Sequence, residues 1–151
     1  MYQILKLIQT PIFWLGIILF IIVYPMLISI YVFFPLFIGT ISYFFIEGIE
    51  RQKPTFVAVA AFYLIHLEAN LSLPLFLAII SALLFYLFIY PSLLHFKRCI
   101  MCKAVLSVLI LDLNYFILLF LYDFIFQTES LSLNIILLYS LVVDLLLVMI
   151  L

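Results

Sequence analysis

Long apolar runs separated by short polar breaks set the pattern of this chain from Pro11 onward. A helix crossing a bilayer's hydrocarbon core needs about 20 apolar residues, with a range of roughly 17–25. The first run, Pro11 to Ile46, is about 36 residues and would make a helix of roughly 54 Å, too long for one crossing and right for two short ones. Pro25 and Pro35, with Ser29 and Tyr31 between them, mark the turn, because proline lacks a donor and disfavours helix just before itself. This places a first span at Pro11 to Ile28 and a second at Phe33 to Ile46. After the polar stretch Glu47 to Pro54 comes a short third segment, Thr55 to Leu67, near the lower limit for a crossing. The fourth span is read as Leu71 to Leu94, with Pro74 in its first turn. A basic loop then leads to the fifth, Ala104 to Phe126, and Gln127 to Ser130 turns into the sixth, Leu131 to Leu151. The expected fold is all-α: a polytopic transmembrane helix bundle of about six spans, five being the alternative count, in one integral membrane domain over residues 1–151.

Composition sharpens this reading. Hydrophobic residues make up 71% of the chain and charged ones 9%, too few charges to cover a water-facing surface, so the lipid bilayer is the expected solvent. A net charge of −1 with no basic block excludes nucleic acid as a partner. The six Lys and Arg residues are Lys6, Arg51, Lys53, Lys97, Arg98 and Lys103. With six spans all fall on one side, and the positive-inside rule makes that side, and both termini, cytoplasmic in a bacterial inner membrane. The opposite loops carry Glu68 and Glu129. One Lys6, an over-long apolar run and no small-residue cleavage site argue that the first span is retained rather than cleaved.

Ionisable groups within apolar spans are the first candidates for function, since each costs at least about 2.5–3.5 kcal/mol at a helix centre. Asp112 and Asp144 lie at similar depth, roughly 12 Å and 10 Å from the basic end of sequential antiparallel helices. If they face each other they share a proton, either as a packing or partner contact or as part of a proton or cation relay; packing is the favoured expectation. Asn114 points elsewhere on the same helix. Asp123, Glu47 and Glu50 read as interfacial groups, the glutamates beside Arg51 and Lys53. His66, Glu68 and Asn70 form a polar cluster expected at the periplasmic rim, exposed there or bonded to a neighbouring helix, and short of the donors a metal site needs. Cys99 and Cys102 have redox spacing but sit in the basic loop, where two reduced thiols are expected. Ala78 and Ala82, beside Ser81, make a small-residue stripe that another helix can approach closely, within the chain or on a partner. No Walker loop, serine-nucleophile motif or His-Glu-x-x-His pattern is present, and glycine is scarce, so no enzyme activity and no cofactor are expected.

Phe34-Pro35-Leu36 opening the second span, the short segment Thr55 to Leu67, Leu64-Ile65-His66-Leu67 with Leu71-Ser72-Leu73, the basic Phe96-Lys97-Arg98 and the buried acid in Leu109-Ile110-Leu111-Asp112 together resemble the rod-shape-determining protein MreD family over most of the chain. The family usually has an aspartate and glycines at the end of the third segment, where this chain has His66 and Ala69-Asn70. The resemblance implies a non-enzymatic scaffold of bacterial cell-shape maintenance and peptidoglycan elongation, with an MreC-like single-span protein as helix-to-helix partner. The competing expectation is the substrate-binding membrane subunit of a vitamin-type uptake transporter, built on His66, Glu68 and Asn70. A thiol oxidoreductase on Cys99 and Cys102 and a ligand-free assembly or stator accessory complete the set.

Overall fold

The apolar runs form helices, and little else, in a computed structural model that describes residues 11–31, 34–93, 100–127 and 134–150. The helices are α1 (Pro11–Ile30), α2 (Ile38–Glu50), α3 (Pro54–Asn70), α4 (Leu77–Leu93), α5 (Ile100–Phe126) and α6 (Asn134–Ile150). There is no strand among the described residues. Met101–Phe126, within α5, is long and apolar enough to cross a hydrocarbon core, with mean hydropathy 2.3; Leu15–Ile30, Leu77–Leu93 and Leu137–Ile150 are apolar but shorter.

Helix starts differ from the expected spans in an informative way. The second helix begins at Ile38 rather than Phe33, and the fourth at Leu77 rather than Leu71. Pro35 and Pro74 therefore lie in unwound stretches ahead of their helices, not in the first turns. A proline disfavours helix in the residue before it, and Phe37 and Phe76 then take left-handed backbone (φ 53° and 68°), which delays helix entry by a further step. In contrast, α3 is longer than its apolar run suggested, since Pro54 opens it at the position where a missing N–H costs nothing. The fifth helix also starts early, drawing Met101, Cys102 and Lys103 into its first turn.

Proline shapes α4 as well. Residues Phe85–Ile89 widen into a π-turn just ahead of Pro91, which has no N–H to return to the preceding turn. The helix continues as Tyr90–Leu93 beyond it.

The short α2 is the hub: it packs on α3, α4, α5 and α6, while α1 lies against α3. Gly48 permits the close approach of α3, because a Cβ there would stand 3.0 Å from the Val57 side chain. One apolar cluster joins Ile21, Ile28, Leu36, Tyr63, Leu67, Ala78 and Tyr115; a second joins Phe45, Ile46, Ala60, Ala82, Phe85 and Leu111. The outward surfaces are apolar too. Phe88, Phe120, Phe124, Ile125 and Ile150 are all highly exposed.

Candidate functional site

The interior polar groups gather at the two unwound turns. At the first, Pro35 and Leu36 lie ahead of the helix, so their backbone groups lack helical partners and must find others. They find side chains. Tyr24 from α1 donates its hydroxyl to the Pro35 carbonyl (2.8 Å), and Tyr63 from α3 donates to the Leu36 carbonyl (3.1 Å). The Leu36 N–H donates to Ser140 Oγ on α6 (3.0 Å). Helical bonding resumes with Ile41 N–H to the Phe37 carbonyl (3.0 Å), which leaves the first N–H groups of α2 to be capped from outside.

Asp144 supplies that cap. Its Oδ2 accepts the Gly39 N–H and its Oδ1 accepts the Thr40 hydroxyl, both at 3.0 Å. A carboxylate at a helix N-terminus is favoured both by the hydrogen bonds and by the helix dipole. The cap is unusual only in coming from a residue so far along the chain. Ser140, Asp144 and Val148 recur every fourth residue on α6 and are all buried, so one stripe of that helix serves the turn.

Asp112 arrives from α5 on another side of the same glycine. A Cβ at position 39 would stand 2.5 Å from Asp112 Oδ1 and 2.6 Å from its Cγ and Oδ2. Gly39 is therefore required by space: it lets two carboxylates meet at one amide. Asp112 and Asp144 are 2% and 0% exposed. The pair expected from matching depth is thus brought together, with Gly39 and Thr40 as the residues that join it. Asp112 Oδ2 has no hydrogen-bond partner, and neither has the buried Ser107 hydroxyl.

The second turn repeats the device. Pro35-Leu36-Phe37-Ile38-Gly39-Thr40-Ile41-Ser42 aligns with Pro74-Leu75-Phe76-Leu77-Ala78-Ile79-Ile80-Ser81, and Tyr24 and Tyr63 precede the two prolines at the same spacing. Ile80 N–H bonds the Phe76 carbonyl (2.9 Å), matching the Ile41 bond, and Ala78 N–H, matching Gly39, donates to Glu68 Oε1 (2.6 Å). This internal repeat was available in the sequence as a signal for Gly39 and Thr40.

Glu68 consequently does not belong to an exposed rim cluster. It is 1% exposed, with Oε2 unpartnered. His66 and Asn70 lie apart from it. The Asn70 side-chain amide donates to the His66 carbonyl (2.7 Å) and sits beside its ring, which stacks with Phe62. Residues 66 and 68 are about 200° apart around a helix, so neighbours in sequence look in opposite directions. Asn114 leaves the Asp pair and donates to Ser81 on α4, at its carbonyl (2.9 Å) and hydroxyl (3.1 Å). Ala78 and Ala82 are buried in the two apolar clusters, beside Tyr115 and Leu111 of α5, so their stripe faces inward within this chain.

At the other end of α2, Glu47 pairs with Arg51 (2.6 Å), one turn away on the helix. Tyr90 donates to Glu50 and accepts from Lys103 Nζ (2.9 Å), tying the ends of α2, α4 and α5 together. Arg51, Lys53 and Lys103 therefore share one end of the molecule. Lys6, Lys97, Arg98 and Glu129 lie outside the described residues. Cys102 is disulfide-bonded, which corrects the expectation of reduced thiols; Cys99, the only other cysteine in the chain, lies outside the described residues.

Two cavities matter to the site. One of about 240 Å³ lies among α2, α5 and α6, lined by Thr40, Tyr43, Phe44, Glu47, Met101, Ala104 and Val148. Another, between α5 and α6, is lined by apolar side chains and Asp123. His66, Glu68 and Asn70 line neither. Among the described residues no group of three or more His, Cys, Asp or Glu side chains could hold a metal ion.

No protein-family model matches this chain, and no curated protein or solved structure matches it either.

Proposed function

We propose that the chain is a polytopic membrane protein acting as a non-enzymatic scaffold, of the kind the MreD resemblance implies, that works through helix-to-helix contact with a single-span partner. The observation that carries this reading is how the polar groups are distributed. The buried Asp144, Thr40 and Glu68 are engaged at the helix turns of the chain itself, while large apolar side chains such as Phe88, Phe120, Phe124 and Ile125 face outward. A surface of that kind is suited to lipid and to other helices, where association rests on packing rather than on a hydrophobic drive. The clustering of Arg51, Lys53 and Lys103 at one end supports a cytoplasmic assignment for that end.

The uptake-transporter reading has less to support it. It called for His66, Glu68 and Asn70 to converge on a pocket, and Glu68 instead caps α4 while the other two bond each other. Two experiments test the scaffold. Reporters fused after Leu151 and in the loop at residues 51–53 should be active only in the cytoplasm. The chain, purified from bacterial membranes, should bring down a single-span MreC-like partner. Periplasmic activity of either fusion contradicts the orientation, and a chain that binds a vitamin-like solute but no such partner contradicts the scaffold.

A further inference from the structure

Two carboxylates that meet at one glycine amide, with no cation beside them, leave a charge unbalanced. The groups facing the pair can be named helix by helix. Tyr24 reaches toward Asp144 from α1 and Tyr63 from α3; α6 contributes Asp144 itself and Ser140. From α2 come the neutral Gly39 and Thr40, with Tyr43 and Glu47 farther along the cavity wall. On neighbouring α4, Ser81 is engaged by Asn114 rather than by either carboxylate. No Lys or Arg among the described residues joins either carboxylate, as Arg51 is paired with Glu47 and Lys103 with Tyr90. Like charges this close in a low-dielectric interior cannot both remain ionised.

The hydrogen bonds say which member is ionised. Asp144 accepts at both oxygens, from Gly39 N–H and the Thr40 hydroxyl, as a carboxylate does. Asp112 keeps an oxygen that is buried and unpartnered. Thr40, whose hydroxyl bonds Asp144, lines the cavity of about 240 Å³, and Val148 lines it one turn beyond Asp144 on α6. That volume is ample for water, and the cavity runs toward Glu47 near the basic end.

We propose that Asp112 and Asp144 form an exchangeable proton-binding site, the proton residing on Asp112 and reaching it from the α2–α5–α6 cavity past Thr40. In the step, the Asp112 O–H bond breaks as its proton passes to water in the cavity and a proton from that water takes its place, so the pair holds one proton before and after. The inference goes beyond the scaffold reading and does not depend on it, since a partner need not be present for the proton to exchange.

Infrared spectroscopy of the full chain reconstituted in lipid vesicles tests it. Wild-type protein at neutral pH should show a carboxylic-acid carbonyl band that Asp112→Asn removes and that Asp144→Asn and Glu68→Gln leave in place. Transfer to heavy water should shift the band, and Ala104→Trp, which fills the cavity, should slow that shift severalfold. Val148→Phe serves the same purpose if the tryptophan variant does not fold. A neutral-pH spectrum without an Asp112 band overturns the proposal, and so does a band that never shifts, or one that shifts equally fast with the cavity filled. Loss of the band when sodium replaces choline at constant pH would assign the site to a metal cation and overturn the proton.

Discussion

The two Pro-Leu-Phe turns share a backbone path and a capping principle, yet they differ at two positions that matter. Where the first has Gly39 and Thr40, the second has Ala78 and Ile79. Ala78 carries the methyl that Gly39 lacks, and its helix is capped by one acid, Glu68. Gly39 leaves that volume open, and a second acid occupies it. Thr40 adds a hydroxyl that bonds the cap and also lines a cavity, where Ile79 can only pack. A turn needs one carboxylate to begin its helix. The second carboxylate at Gly39 is surplus to that need, and it is on this surplus acid that the proposed proton site rests.

The largest expected effect comes from removing the caps. Asp144→Ala strands a backbone N–H and a hydroxyl that are both buried, and each bond to a charged group is worth about 1.5–3 kcal/mol, so a loss of roughly 3 kcal/mol or more is expected. Glu68→Ala should cost less, because the groups it leaves are backbone N–H groups at the start of α4, with no buried hydroxyl stranded beside them. Thermal unfolding midpoints of the detergent-purified variants measure the gap. Equal losses at the two turns would remove the distinction between them.

Exchanging the small residues comes next. Gly39→Ala drives a methyl into Asp112 and should cost about 1–3 kcal/mol, as overpacking does. Ala78→Gly only loosens its helix, by about 0.5–1 kcal/mol on backbone grounds. A Gly39→Ala variant as stable as wild type would mean that the carboxyl of Asp112 is not held there. Smaller still, Thr40→Val should lose about 1 kcal/mol by removing one of the two bonds to Asp144 while keeping the shape. Tyr63→Phe should lose a similar amount, because the Leu36 carbonyl has no helical donor to fall back on. Chemical unfolding with matched detergent checks both.

Much of this was legible in the sequence. The number and order of helices followed from apolar runs long enough to be helices and polar breaks short enough to be turns. The matching depth of Asp112 and Asp144 followed from counting along antiparallel neighbours. What local pattern could not supply was the helix starts, because a proline in the first turn and a proline ahead of an unwound stretch leave the same local mark. The difference is made by groups distant in the chain: Ser140 and Asp144 satisfy Leu36 and Gly39, and Tyr63 reaches back to Leu36. The separation of Glu68 from its neighbours was not legible for a related reason. Its polar neighbours His66 and Asn70 suggested a wet rim, but the helix turns Glu68 away from them and toward the start of α4.

The most direct test of the first turn is a double-mutant cycle between Gly39→Ala and Asp112→Ala, read as unfolding free energy in one detergent. If the two residues occupy adjoining space, removing the carboxyl makes room for the added methyl. The double variant should then be more stable than the sum of the single losses allows, by about 1 kcal/mol or more, within the range contacting residues show. Losses that add to within about 0.5 kcal/mol, as they do for distant sites, would contradict the meeting of Asp112 with Gly39.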